Sequence, residues 1–239
     1  MLAELEVEER WKTAGRIAAG VTHDLGHRVA ILAQTAGLAD TGDAAFLPRI
    51  RDNLHSEVAT LRKFVADFAD LSRDVKAIDR LPLDVNAFAQ SIVKSGTPHA
   101  ERSGVRLAAA PHDGGCWVRG ERYLLERAAL NLVSNAVEAS PRGAEILVAV
   151  GRENGRDGEW ATFSVSDRGH GIEPQRLGHL FDAFMSTKRT GAHLGMGLAN
   201  VKRIVDAHGG KVTVTSTVGE GSTFRIALPL APPAGQTGT

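Results

Sequence analysis

Thr22-His23-Asp24 is the stretch whose residue types promise chemistry, because it sets a histidine beside a carboxylate within a helical pattern. Apolar residues at Ile17, Val21, Leu25, Val29 and Leu32 recur at helical spacing and form one stripe. At about 100° per residue, His23 lies roughly 200° from Val21 and roughly 160° from Leu25, so it points away from that stripe. Asp24 can accept a proton from the imidazole, and an imidazole assisted in this way is a competent nucleophile towards phosphorus. Gly20 and Gly26 leave His23 sterically open, at some loss of helix propensity. An exposed histidine with an acidic neighbour is also an ordinary surface pair. The pair by itself fixes no function.

Four groups in the second half carry chemistry of another kind. Asn131, Asn135 and Glu138 follow one another at i, i+4 and i+7 and line one helix face, opposite apolar Leu125, Ala129, Leu132 and Ala136. Two carboxamides and an acid can hold a hydrated Mg²⁺ and phosphate oxygens, since Mg²⁺ takes few protein oxygens and keeps waters. A plain solvated face is the alternative, but asparagine is a poor helix former with no visible local reason to recur here. Asp167-Arg168-Gly169-His170-Gly171 follows directly on a strand. Gly169 and Gly171 let backbone approach a planar ligand, and Asp167 can accept a hydrogen bond from an exocyclic amine. Lys188 lies in a polar stretch that ends in Gly195-Met196-Gly197, where a helix opens; amides at that start and the lysine can bind phosphate. Last comes the turn Gly219-Glu220-Gly221-Ser222-Thr223, which can be purely structural.

The elements that must position these groups fall into two halves. From about Leu2 to Leu38 the pattern is helical, Ala39–Asp43 breaks it, and a second helix runs from about Ala44 to Ile78. Leu47, Ile50, Leu54, Val58, Leu61, Val65, Phe68, Leu71 and Val75 form a bundle seam too wide for two helices to enclose, so the hairpin is expected to pair with a second copy as a four-helix bundle. Packing of the hairpin on its own C-terminal half is the alternative. Pro82 ends the helical half. The remainder predicts helices at Asn86–Arg102, Glu121–Ala139 and Leu198–Ala207, with Gly209-Gly210 capping the last. Strands are predicted at Val105–Ala109, Trp117–Val118, Glu145–Val150, Ala161–Ser166, Lys211–Thr217 and Ser222–Leu228. The domains expected are therefore 1–79, a helical hairpin, and 80–230, an α/β sandwich, followed by a Pro/Gly-rich flexible tail at 231–239.

Composition narrows the setting. Lys+Arg and Asp+Glu both number 28 in 239 residues, so no field of one sign points to nucleic acid or an anionic membrane. A single Cys116 allows no internal disulfide and fits a reducing, cytoplasmic compartment. No apolar run is long enough to span a bilayer, and the acidic start is no signal peptide. The nine histidines show no metal-ligand spacing, which leaves metal-centred catalysis without support. The chain begins inside a helical pattern, as expected of a core whose input comes from an upstream sensor domain or a separate sensor protein.

Taken in order and spacing, these groups resemble the histidine kinase core of two-component signalling systems, over about Arg16 to Leu228. Val21-Thr22-His23-Asp24-Leu25 resembles the H box and Asn131-Leu132-Val133-Ser134-Asn135-Ala136 the N box. Asp167-Arg168-Gly169-His170-Gly171 resembles the G1 box and Leu180-Phe181-Asp182-Ala183-Phe184 the F box. Gly195-Met196-Gly197-Leu198 is similar to the G2 box, and Gly219–Phe224 to the terminal G3 hairpin. The short Ser186-Thr187-Lys188 lid resembles the nitrogen-regulation and oxygen-sensing branch.

The resemblance implies a dimeric phosphoacceptor hairpin followed by a Bergerat-type (GHKL) ATP-binding α/β sandwich, using ATP and Mg²⁺. It implies that Asn135 ligates Mg²⁺, that Asn131 and Glu138 lie near the phosphates, and that Asp167 reads the adenine amino group. Gly169, Gly171, Gly195, Gly197 and Thr223 would shape the nucleotide pocket, and Lys188 would approach the terminal phosphates. His23 would attack the γ-phosphate with Asp24 helping to remove its proton, and a response-regulator aspartate would then take the phosphoryl group. The H box departs from the family at three positions. Asp24 replaces Glu, His27 stands at the Asn/Thr position and Arg28 at the proline position. Without that proline the helix is expected to run straighter below His23. Without Asn or Thr, ordinary dephosphorylation of the regulator is not expected. His27, one turn on, is a second candidate acceptor. Two other readings remain: a dimeric nucleotide-sensing scaffold or phosphotransfer protein with weak or no autokinase activity, and a mechanical ATPase dimer of the same nucleotide fold.

Overall fold

The computed structural model describes residues 26, 29–38, 44–55, 57–58, 61, 79–155, 158–182 and 196–233. Two compact units divide the chain, with residues 1–73 and 182–196 in one and residues 74–181 and 197–239 in the other. In the first, helix covers 29–38, and a 3₁₀ turn at Ala44–Phe46 leads into helix over 47–55. Buried Thr35 donates to the Ile31 carbonyl at 2.8 Å and accepts from Asn53 Nδ2 at 3.5 Å, which joins the two helical pieces. Ile50 is buried, whereas Val29, Leu47, Leu54 and Val58 are exposed large apolar residues. The helical parts beyond these residues, and the turn at 39–43, lie outside the described residues.

In the second unit a ribbon of β1 (Leu81–Asp84) and β3 (Trp117–Gly120) accompanies a five-stranded sheet. That sheet holds β2 (Arg106–Ala110), β4 (Glu145–Gly155), β5 (Gly158–Ser166), β6 (Lys211–Thr217) and β7 (Gly221–Pro229), in the order β2-β4-β5-β7-β6. Only β2 runs parallel to its neighbour β4; the other pairs are antiparallel. Helices α1 (Val85–Arg102), α2 (Arg122–Ala139) and α4 (Gly197–Ala207) share one core with the sheet, and a single turn, α3, spans Pro174–Leu177. Alternation puts Ile146, Val148, Phe163, Val165, Phe224 and Ile226 into that core, where they meet Ile92, Leu132, Ile204 and their neighbours. Phe88 of α1 and Phe163 of β5 stack edge-on, with centroids 5.7 Å apart. The outcome is the expected two-layer α/β sandwich.

Three elements differ from expectation, each for a physical reason. Pro82 was expected only to stop a helix, yet it sits inside β1, opposite Arg119. A strand in a two-stranded ribbon has one unpaired edge, which tolerates the missing proline donor. The β4–β5 ladder runs on to Gly155↔Gly158, past the point where apolar alternation ends at Val150. Backbone pairing continues it there, beside buried Trp160 and Ala161; Arg225 pairs with Glu153 at 3.3 Å, and the Lys211 ammonium lies 4.7 Å from the Trp160 ring centroid. At the start of the predicted tail, the Ala231 amide donates to the Trp117 carbonyl at 2.8 Å.

Side-chain caps fix the helices that matter for the site. Asp84 accepts from the Asn86 and Ala87 amides to start α1, and Glu121 accepts from Tyr123 and Leu124 to start α2. Gly209, at φ +71°, closes α4, as expected. Buried His208 ties the end of α4 to the start of α2. Its Nε2 accepts from the Glu121 amide at 3.0 Å, so Nδ1 carries the proton and donates to the Ile204 carbonyl at 2.7 Å. Beside it, Arg80 donates to the Ala207 carbonyl at 2.6 Å.

Burial pushes the His208 imidazole below its ordinary value; the Ile204 carbonyl opposes this, the Arg80 guanidinium adds to it and the Glu121 carboxylate opposes it. The unfolded chain therefore takes up this proton more readily than the folded one. The contribution of His208 to stability is complete above the ordinary value of 6.5 and is lost as pH falls from there towards the lower folded value. Urea unfolding from about pH 8 down to about pH 5.5 should show a steeper acid loss for wild type than for His208→Gln. Parallel slopes would remove His208 as the cause.

Candidate functional site

The site is assembled at the C-terminal end of β5, where the chain must turn between two layers. Helix α2 packs Leu125, Ala129, Leu132 and Ala136 into the core, and Asn131, Asn135 and Glu138 are left half-buried on its other side. Ser134 donates to Glu138 Oε1 at 3.2 Å, which steadies that carboxylate along the helix. The loop 167–172 after β5 lies against the last turn of α2. The His170 amide donates to the Ala139 carbonyl at 3.3 Å, and a Cβ added at Gly169 would run into that carbonyl oxygen. Helix α4 opens beside the same face: a Cβ on Gly197 would stand 3.8 Å from the carboxamide of Asn131.

Asp167 is buried and its carboxylate is directional. Oδ1 accepts from the Gly169 amide at 2.8 Å and the Ser222 amide at 3.2 Å, while Oδ2 takes neither of these donors. Burial raises its pKa; the Gly169 and Ser222 amides and then His170 draw it back. The β6–β7 turn holds the loop from the other side. Asp167 N–H donates to the Ser222 carbonyl at 2.8 Å, and Gly219 N–H to the His170 carbonyl at 2.9 Å. Gly171 (φ +69°) and Gly221 (φ +121°) make these approaches possible, since a Cβ at either would collide with backbone, of Thr217 and of Asp167 respectively. Thr223, opposite Ser166 in the ladder, donates to its hydroxyl at 2.9 Å.

Asn131, Asn135, Glu138, Asp167, Gly169, Gly171, Gly197 and Thr223 thus belong to one compact unit. The contacts above join the α2 face, the 167–172 loop, the start of α4 and β7. His23, Asp24, Lys188 and Gly195 lie outside the described residues. Three serines carry roles that the sequence alone did not assign. Ser222 carries the amide that holds Asp167, Ser166 receives Thr223, and Ser216 bonds the end of the loop. The signal for Ser216 was an interrupted alternation, Val212, Val214, then a hydroxyl at the next inward position of β6.

As an assembly these residues present oxygen acceptors along α2, a buried carboxylate with one oxygen committed to backbone, and a glycine-lined loop. That donor set suits a ligand with a planar, amine-bearing ring at one end and anionic oxygens managed through a hard cation at the other. Among the described residues no cluster of three or more His, Cys, Asp or Glu side chains forms a metal site, so a cation here would rest on carboxamide and single carboxylate oxygens.

Residues 120–232 match the family of histidine kinase-, DNA gyrase B-, and HSP90-like ATPases. The sensor-like histidine kinase SenX3 of Mycobacterium tuberculosis is 33% identical over 222 residues, covering 88% of this chain and 52% of that protein. The sensor histidine kinase ZraS of Klebsiella oxytoca is 30% identical over 231 residues, covering 93% of this chain and 47% of its own. The chain therefore spans about half the length of the curated relatives it matches. Among solved structures, full-length ShkA in complex with AMPPNP aligns at a TM-score of 0.65 with 25% identity, over 90% of this chain and 46% of that one. The mycobacterial sensor histidine kinase MprB aligns at 0.54 with 27% identity, over 64% of this chain and 99% of that one. Residues 120–232 thus form a histidine kinase-, DNA gyrase B- and HSP90-like ATPase domain, and over most of its length the chain is similar to the core of sensor histidine kinases.

Proposed function

We propose that this chain is the working core of an ATP-dependent protein-histidine kinase, which phosphorylates its own His23 and passes the phosphoryl group to an aspartate of a response regulator. The observation that carries the reading is the Asp167 carboxylate, buried and fixed through Oδ1 beside the α2 face that bears Asn131, Asn135 and Glu138. Asp167 Oδ2 accepts the adenine 6-amino group, while Gly169 and Gly171 let the loop backbone approach the ring. Asn131, the Gly195–Gly197 helix start and Lys188 receive the phosphates, and Thr223 closes the pocket from β7. The hard oxygens of α2 suit Mg²⁺, with Asn135 as its ligand and Glu138 in support; when bound, the ion neutralises charge on the phosphates. His23 supplies the nucleophile, and Asp24 takes its proton.

Residues 1–79 serve as the dimerisation and phosphotransfer hairpin and residues 80–230 as the catalytic domain, with 231–239 as a tail. Exposed Leu47, Leu54 and Val58 support pairing of the hairpin with a second copy into a four-helix bundle, because they continue one apolar seam. An upstream sensor domain or sensor protein provides the input. The short Ser186–Lys188 stretch supports the nitrogen-regulation and oxygen-sensing branch. A cytoplasmic place fits the lone Cys116, buried at 0% exposure, and no described helix is long and apolar enough to cross a membrane.

Incubation with radiolabelled ATP and Mg²⁺ tests the reading. Acid-labile, alkali-stable label is expected on wild type and His27→Ala and should fall to background in His23→Ala and Asn135→Ala. Label lost only in His27→Ala would move the acceptor by one turn. A chain that binds ATP, stays unlabelled and still accepts phosphoryl groups from a phosphorylated regulator would replace the kinase with a nucleotide-sensing scaffold.

A further inference from the structure

One side chain touches the far end of the loop that presents Asp167 and, through Ser222, reaches its near end. On β6 the inward positions run Val212, Val214, Ser216, so a hydroxyl stands where an apolar residue would continue the row. Ser216 Oγ donates to the Gly221 carbonyl at 2.9 Å and accepts from the Ile172 amide at 2.9 Å. Its third neighbour is the Ser222 hydroxyl, also at 2.9 Å. A hydroxyl has one proton and two acceptor sites, so with its own proton on Gly221, Ser216 must accept that of Ser222. Its hydrogen-bonding capacity is then filled.

These bonds bracket the 167–172 loop. At its far end, Ile172 hangs on Ser216 directly. At its near end, Ser222 exchanges backbone bonds with Asp167, through its carbonyl to the Asp167 amide and its amide to Asp167 Oδ1. Ser216 therefore fixes Ile172 in one step and Asp167 in two, through Ser222. Neither contact is local, since Ile172 lies 44 residues away in the chain and Asp167 is linked to Ser222 across 55.

We infer that Ser216 is a positioning residue for purine recognition, holding both ends of the 167–172 loop so that Asp167 meets a 6-amino group. The inference rests on the nucleotide-binding reading above and deepens it. Without the hydroxyl, the Ile172 amide, the Gly221 carbonyl and the Ser222 hydroxyl lose this partner, and the loop keeps its backbone bonds but not their common anchor. The loss should appear in base selectivity while the chain still folds.

Calorimetric titration of the full chain with ADP and with purine riboside 5′-diphosphate, which lacks the 6-amino group, tests this. Wild type should prefer ADP. In Ser216→Ala the ADP Kd should rise about tenfold and the preference shrink several-fold, in a chain that is less stable but still unfolds cooperatively. Ser216→Thr, which keeps the hydroxyl, should restore the preference. If Ser216→Ala unfolds without a cooperative transition, Ser222→Ala tests the near-end link alone and should still shrink the preference, since it removes only the bond between the two hydroxyls and leaves Ile172 on Ser216. ADP bound by the variant as by wild type, or more weakly with unchanged preference, would overturn the role. Failure of wild type itself to bind ADP would overturn the nucleotide reading instead.

Discussion

Asp167→Asn is expected to lower ATP affinity about a hundredfold while leaving the fold intact, and to improve binding of inosine triphosphate. The asymmetry follows from the way the carboxylate is held. Oδ1 takes the Gly169 and Ser222 amides, and an asparagine carbonyl can take both in the same place. Nδ2 would then stand where Oδ2 stands, turning an acceptor into a donor. Facing a 6-amino group, two donors repel; facing a 6-oxo group, they pair. Stability should hold, because burial disfavours the charge on Asp167 and the amide carries none. Asp167→Ala behaves differently, since it strands both amides and should cost about 1–3 kcal/mol for each left unpaired. Thermal unfolding beside titration with ATP and inosine triphosphate separates the two variants. Equal loss of both nucleotides in Asp167→Asn would show that this carboxylate does not read the purine edge.

Much of this site was legible in the chain because its residues repeat local periods. Asn131, Asn135 and Glu138 share a helix face by arithmetic alone, and the buried Leu125, Ala129, Leu132 and Ala136 opposite them bear out the period. Asp167, Gly169 and Gly171 were legible as a turn following a strand. What these two glycines are for was not, because it depends on Ala139 and Thr217 backbone arriving from distant parts of the chain. Ser216 escaped for the same reason: a serine in a strand has no local meaning until Ile172 and Gly221 come within hydrogen-bond reach. The outer β4–β5 ladder escaped because backbone pairing carries it on to Gly155 and Gly158, past Val150 where the apolar alternation of β4 ends. Pro82 misled for a further reason. Its exclusion from helices is a property of the residue, whereas its tolerance in β1 is a property of the ribbon's free edge.

Gly221→Ala should be among the most damaging single methyls in this unit, and its neighbour Gly219 supplies the control. Both lie in the β6–β7 turn at positive φ, +84° for Gly219 and +121° for Gly221. Around Gly219 a Cβ would meet nothing within 4 Å, so alanine there bears only the backbone penalty, about 1–2 kcal/mol. At Gly221 a Cβ would drive into the Asp167 carbonyl oxygen and come within 2.9 Å of the Arg168 Cα. Those atoms are backbone, and no side chain can rotate aside to relieve them. Relief requires the 167–172 loop to move, which breaks the Asp167 N–H bond to the Ser222 carbonyl and withdraws the carboxylate from the site. Gly221→Ala should therefore lose about 3 kcal/mol or more, a Tm about 10 °C lower, and should lose ADP binding even at temperatures where it remains folded. Gly219→Ala should lose the smaller amount and bind ADP as wild type does. Equal effects of the two alanines on both Tm and ADP Kd would mean that the turn does not press on the loop, and that Asp167 is held by its own hydrogen bonds alone.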